Sequence, residues 1–211
     1  MRSAERRLLP AERVVLEGWK GEASPDWVSH PDPRVRVLGL GALHRSGRLT
    51  PALLRTTARD EDRWVRARTA ELCAAREYAG QTVETLLRLL ADPDPAVVEA
   101  AAWALGRALT RGTLRSDTAI VSACARVATG HADGRCRETA VAALGATRDD
   151  LAVPPLRHAL GDRRPVRRRA AIALSRIGTE SALECLKALT DDPDLVVRQT
   201  ARDALEGRPV L

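Results

Sequence analysis

The chain has 211 residues, with 34 Lys and Arg against 28 Asp and Glu, a net charge of +6, and an aromatic content of 2% that comprises Tyr78 and four Trp but no Phe. No stretch approaches the roughly 20 apolar residues that span a bilayer, and the start Met1-Arg2-Ser3-Ala4-Glu5-Arg6-Arg7 lacks the apolar run of a signal peptide. Cys73, Cys124, Cys136 and Cys185 form no CxxC pair and no His stands at metal-ligand spacing, so no metal, cofactor or disulfide framework is expected, and a cytoplasmic location is.

Residues 1–23 carry Leu8, Leu9, Val14, Val15, Leu16 and Trp19 at helix-like spacing, with Pro10 as an interruption. They read as an N-terminal cap over a repeat array that occupies residues 24–211, since the ends of such arrays are atypical. From Asp32 one pattern recurs, starting again at Asp62, Asp94, Asp133, Arg163 and Asp194, at intervals of 30, 32, 39, 30 and 31 residues. Self-similarity at this period marks stacked helical units. Counted from each start as slot zero, slot +3 holds Val35, Val65, Val97, Cys136, Val166 and Val197, and slot +11 holds Leu43, Cys73, Leu105, Leu144, Leu174 and Leu205. Slots +7 and +10 are mostly Ala. Apolar residues at these four slots define one face of a helix.

Asp or Asp-Pro before each unit suits a helix start, and Gly47, Gly106, Gly145 and Gly178 are read as helix terminators. A second apolar run precedes each of these helices from the second repeat onward: 51–58, 83–90, 119–128, 151–160 and 182–189. In the first repeat the corresponding helix, around Trp27 and Val28, is short. Each repeat is therefore a pair of helices joined by an Asp-containing turn, and no run alternates with period two, so the expected class is all-α. Residues 107–118 are the one substantial insertion, expected as an extended helix end or a loop. The tail from Gly207 is expected to fray and to be removable from Pro209 onward.

The sequence Asp-Pro, Val-Arg, an Ala-rich helix and Leu-Gly resembles the HEAT-like repeats of the phycobilisome-lyase type over roughly residues 24–206. The resemblance implies a right-handed α-solenoid of about six two-helix repeats. It implies little about activity, because such repeats serve scaffolds, adaptors, lyases and glycosylases alike.

Two surfaces stand out. Residues 135–176 contain ten Arg and four acidic residues, which equals the net charge of the whole chain. The Arg at slot +4 (Arg36, Arg66, Arg137, Arg167, Arg198) suits contacts between repeats. Arg135, Arg163, Arg164, Arg168, Arg169 and Arg176 are read as a surface for an anionic partner, because cations crowded at a helix start oppose the macrodipole and one another. Arg164 and Arg168, spaced i,i+4, are expected to repel, so that removing them leaves the melting temperature unchanged or raises it. Trp64 and Trp103 fall off the core slots, on a concave surface expected to include Arg68, Glu71 and Arg107. Aromatic residues beside Arg suit a peptide or nucleic-acid groove.

Enzyme signatures are absent from the pattern. His30, His44, His131 and His158 are followed by Pro, Arg, Ala and Ala, not by the Glu of the HEAT-repeat hydroxylases. The Trp-x-x-x-Asp arrangement of HEAT-like alkylpurine DNA glycosylases is replaced by Trp64 with Arg68 and Trp103 with Arg107. The expected function is a non-catalytic scaffold or adaptor for another protein, of acidic character if the basic surface engages it. The alternative is a nucleic-acid-binding relative of the alkylpurine glycosylases.

Overall fold

Five of the six second helices begin on an Asp whose carboxylate accepts a backbone N–H two residues on: Asp32 from Arg34, Asp62 from Trp64, Asp94 from Ala96, Asp133 from Arg135 and Asp194 from Val196, at 2.8–2.9 Å. The side chain thereby satisfies a donor that no helical carbonyl can reach. In the computed structural model, which describes residues 8–208, these caps start α2 (Pro33–Arg45), α4 (Arg63–Cys73), α6 (Pro95–Thr110), α8 (Gly134–Thr147) and α12 (Leu195–Leu205). The exception is α10 (Arg164–Ile177), whose N-cap Arg163 has no side-chain acceptor to offer.

The first helices are α3 (Pro51–Thr57), α5 (Val83–Leu89), α7 (Thr118–Gly130), α9 (Val153–Ala159) and α11 (Glu180–Lys187). In the first repeat that helix is reduced to a single 3₁₀ segment, Pro25–Ser29. A further helix, α1 (Pro10–Lys20), lies against α2. The result is an all-α solenoid of six helix pairs in two layers, without a strand among the described residues. The second helices stack in chain order, α2 on α4, α4 on α6, α6 on α8, α8 on α10 and α10 on α12, each with its own first helix behind it.

The core follows the slots. Leu43, Leu105, Leu144 and Leu174 at +11 and Val65, Val97, Val166 and Val197 at +3 are fully buried, while the Ala at +7 and +10 bring neighbouring helices close. Dense packing of this kind, with few large side chains, leaves little room for added volume. Cys73, Cys124 and Cys136 are buried within it, and burial pushes their thiols up to about 12, 12 and 11.

Three expectations need correction. Pro10 does not interrupt a helix; it opens α1 at its first position, where a missing N–H costs nothing. Gly106 and Gly145 do not end helices but lie inside α6 and α8. A Cβ on Gly145 would stand 2.7 Å from the Cβ of Ala173, and one on Gly106 would stand 3.3 Å from the Cα of Ala143. Gly18 of α1 meets Ala42 at 2.8 Å in the same way. In all three cases the Ala is slot +10 of the following unit, so α1 stacks as one more second-layer helix, without a first helix of its own. Residues 107–118 divide between the end of α6 and a loop from 111 to 117, and Leu114 of that loop packs on the core. Pro209 and the residues after it lie outside the described residues.

The slot +4 arginines lace the turns together. Arg36 Nη2 reaches Asp60 Oδ1 at 2.7 Å, Arg66 pairs with both oxygens of Asp92 at 2.7 and 3.0 Å, Arg137 with both of Asp162 at 2.6 and 2.9 Å, and Arg167 with Asp192 at 3.4 Å. Arg36, Arg66 and Arg137 also donate to carbonyls of their own turn. The hydrogen bonds to Asp92 and Asp162 are bidentate and charge-assisted, the geometry that makes Arg–carboxylate pairs strong. Between the third and fourth repeats the lacing stops: slot +4 is Val98, and His131 stands where the acceptor Asp would be. His131 keeps only the local role, its Nδ1 accepting the Asp133 N–H at 3.0 Å.

Candidate binding groove on the second-helix layer

Turning slots +3, +7, +10 and +11 inward leaves +2, +6, +9 and +13 on the open face of the second helices. Trp64 at +2 is 56% exposed and Trp103 at +9 is 44% exposed. They border a hollow of about 710 Å³ across α2, α4 and α6, which also includes Arg68 and Glu71. Its floor is apolar (Val37, Leu38, Ala67, Ala96, Ala100). Arg68 Nη1 holds Glu71 Oε2 at 2.7 Å, a pair that cancels its own charge.

Each exposed Trp carries an arginine on its ring. Arg63 lies 4.7 Å from the centroid of Trp64, Arg107 4.9 Å from that of Trp103, and Arg45 5.6 Å from that of Trp19 on α1, which is 75% exposed. The stacked guanidinium orients the indole and covers part of it, leaving the remainder to a ligand. Trp27, the fourth, also carries an arginine, Arg13 at 5.4 Å, but its Nε1 donates to Glu17 at 2.5 Å and its ring is partly buried against the core.

The hollow continues past Trp103. A space of about 240 Å³ shares Trp103 and Thr139 with it and adds Arg107, Arg111 and Arg176. A third, of about 460 Å³, shares Thr110 and Arg176 and adds Arg115, Arg148 and Ser116. The three hollows adjoin through these shared residues, from α2 to α10, and the row they form, called the groove below, changes character along its length.

The sequence-predicted residues separate accordingly. Trp64, Arg68, Glu71, Trp103 and Arg107 come together in this groove, and Arg176 joins them at its far end. The other five arginines do not form one free surface. Arg164 and Arg168 both bind Asp194, Arg168 Nε at 2.9 Å from each oxygen, and together they hold its carboxyl well below the usual carboxylate range. The expected repulsion between these two is therefore replaced by a shared counter-ion in the next repeat. Arg169 reaches Glu138 at 3.4 Å and Arg135 reaches Asp133 at 3.5 Å. Arg163 lies across the start of α8, so close to Gly134 that a Cβ there would collide with its guanidinium.

Residue-type reasoning passed over Trp19, Arg45, Glu99, Arg111, Arg115 and Arg148. Arg45 was accessible: it occupies slot +13, as do Arg107 and Arg176. Arg148 was not, because its place depends on the turn that ends α8.

Two stacked layers of helix pairs, with an open groove along the second helices, define an α-solenoid repeat fold. The family model for HEAT repeats matches residues 50–126 and 123–206, most of the chain, and the protein belongs to the HEAT-repeat family. Solved structures share the fold. An engineered protein is 20% identical with a TM-score of 0.66, covering 94% of this chain and 96% of its own. A designed armadillo repeat protein in complex with peptide (KR)4 is 19% identical with a TM-score of 0.65, covering 96% of this chain and 100% of its own. The complex of CpcE and CpcF of phycocyanin lyase from Nostoc sp. PCC7120 is 19% identical with a TM-score of 0.55, covering 97% of this chain and 79% of its own. No protein with a curated functional description matches the sequence. Among the described residues no helix is long and apolar enough to cross a membrane.

Proposed function

We propose that the protein is a non-catalytic adaptor that holds an extended segment of another protein in the groove of its second-helix layer. The observation that carries this reading is the pair Trp64 and Trp103, exposed on successive repeats on either side of an apolar hollow of about 710 Å³. Large indoles held in place beside an apolar floor are what protein interfaces use as anchors. They suit apolar side chains better than a phosphate backbone, which would call for cations along the floor. The peptide in the complex of the designed armadillo protein is consistent with the capacity of this architecture to hold an extended chain.

The test is selection from a displayed random-peptide library, with the Trp64→Ala/Trp103→Ala variant as counter-screen. Peptides enriched on the wild type are expected to lose about 30-fold or more in affinity for the variant, the effect of truncating one interface hot spot or more. Enriched peptides that bind both proteins equally would overturn the assignment of the groove, and a failure to enrich any peptide would overturn the function.

A further inference from the structure

The groove has two chemically different ends. At the Trp64 end the charges balance, Arg45 and Arg68 against Glu71 and Glu99, around an apolar floor. At the other end Arg107, Arg111, Arg115, Arg148 and Arg176 border the two linked hollows. All five are exposed, and none makes an ion pair with a carboxylate among the described residues. This sets them apart from Arg135, Arg164, Arg168 and Arg169, which are already paired.

Arg107 and Arg111 sit at the C-terminal end of α6, Arg148 at that of α8 and Arg176 at that of α10, where the macrodipole favours positive charge. That accounts for a cation at each helix end. It does not account for Arg115 in the loop, nor for five neighbouring cations bordering two adjoining hollows with no counter-ion, since like charges so gathered repel. Two further observations belong to the same place. The Ser116 hydroxyl, which lines the 460 Å³ hollow, is shielded and has no hydrogen-bond partner. Slot +15, the left-handed position after the helix, is Gly47 in the first repeat and Gly178 in the fifth, but Arg148 in the fourth, with φ 51°. Arg148 is the one non-glycine residue with positive φ among those described, and the backbone there would be better served by Gly.

We infer that this end of the groove recognises carboxylate side chains of the bound segment. The partner segment is then bipartite, with bulky apolar residues against Trp64 and Trp103 and a run of Asp or Glu against the arginines. This rests on the peptide-binding reading and specifies the segment it takes. A nucleic-acid strand fits the whole groove poorly, because the Trp64 end has an apolar floor and its charges, Arg45 and Arg68 against Glu71 and Glu99, balance to zero.

The experiment uses a fluorescein-labelled octaglutamate peptide and, in parallel, a 12-nucleotide single-stranded DNA, both read by fluorescence anisotropy at moderate ionic strength. Octaglutamate is expected to bind the wild type. Arg111→Ala/Arg148→Gly/Arg176→Ala should weaken it roughly tenfold or more, the scale of losing several charge-assisted contacts. Arg55→Ala/Arg59→Ala/Arg126→Ala removes the same charge from exposed positions of the first-helix layer and should leave most of the affinity intact. Arg148→Gly alone should bind octaglutamate more weakly while melting no lower than the wild type, so a folding defect in the triple variant would not mask the result. Octaglutamate binding that is absent, unaffected by the triple variant, or reduced equally by both triple variants overturns the proposal. DNA binding through the same arginines that is tighter than octaglutamate binding overturns it in favour of nucleic acid. Trp64→Ala, whose indole borders only the apolar hollow, should leave octaglutamate binding nearly unchanged. The basic end can therefore fail while selected peptides still need the indoles, and the peptide reading can fail while octaglutamate still binds.

Discussion

Arg168 and Asp194 belong to consecutive repeats, and the Arg168 Nε lies 2.9 Å from each carboxylate oxygen of Asp194, a carboxylate that also caps α12 and receives Arg164. One side chain therefore starts a helix and fastens two repeats. Replacing both arginines with Ala strips the counter-ions from a carboxylate that is 2% exposed, and leaving such a charge uncompensated is destabilising. Arg164→Ala/Arg168→Ala is expected to melt several degrees below the wild type, as read by circular dichroism. An unchanged or higher melting temperature would restore the repulsion read from the sequence.

The pH dependence of stability follows from the same carboxylates. Hydrogen bonds from Arg168 and Arg164 depress Asp194, and one from Arg137 depresses Asp162. An Asp depressed in the folded state contributes stability that is complete above its unfolded value of about 3.9 and is lost as pH falls through the folded value. Urea melts should therefore hold steady from neutral pH to about pH 5 and weaken progressively below about pH 4. Asp194→Asn should be less stable at neutral pH and show a shallower acid limb. An equally steep limb would assign the acid sensitivity to other groups.

Gly145 and Ala173 set the spacing of α8 and α10. In an open helix Gly→Ala gains about 1 kcal/mol from backbone propensity. At Gly145 the added Cβ would stand 2.7 Å from the Cβ and 2.8 Å from the Cα of Ala173, so one helix must move. Gly145→Ala is expected to destabilise by about 1–3 kcal/mol. Gly106→Ala should be milder, with 3.3 Å to the Ala143 Cα. Chemical denaturation of both variants checks the order, and a stabilised Gly145→Ala would mean that the seam yields freely.

Leu144 and Leu174, both fully buried at slot +11, test the register of the core. Each change to Ala should cost about 2–5 kcal/mol. Values near zero for both in equilibrium unfolding would place these residues outside the packed layer.

Most of the repeat architecture was legible in the sequence because its signals are local. Slot +3 and slot +11 repeat within one helix, and an Asp cap acts on an N–H two residues away. The readings that changed depend on partners about a repeat distant. Gly106 and Gly145 carry the residue type of a terminator, and only Ala143 and Ala173, 37 and 28 residues further on, reveal them as points of close approach. Arg164 and Arg168 form a like-charged pair until Asp194, a full repeat later, is brought beside them. For the groove, Trp64, Arg68 and Trp103 were recoverable from helical phase alone. Arg148 required the left-handed turn after α8, and Trp19 required α1 to stack as a second-layer helix.

Val98 and His131 give the solenoid a mechanical asymmetry. At every other junction from the first repeat to the sixth, an Arg–Asp pair ties the turn edge, whereas between the third and fourth repeats no ion pair does so among the described residues and the Cys136 thiol donates to the Pro95 carbonyl at 3.2 Å instead. On the open face the same junction is pinned by backbone contact between Gly106 and Ala143. A seam pinned along one edge and tied along the other by a thiol in place of an ion pair is expected to act as a hinge, with flexing concentrated at its turn edge. Faster hydrogen exchange in the 129–134 turn than in the turns around Asp62 and Asp194 would reveal it. The groove crosses this hinge between Trp103 and Thr139, so bending would alter the distance between its apolar and basic ends and let the solenoid adapt to segments of different length.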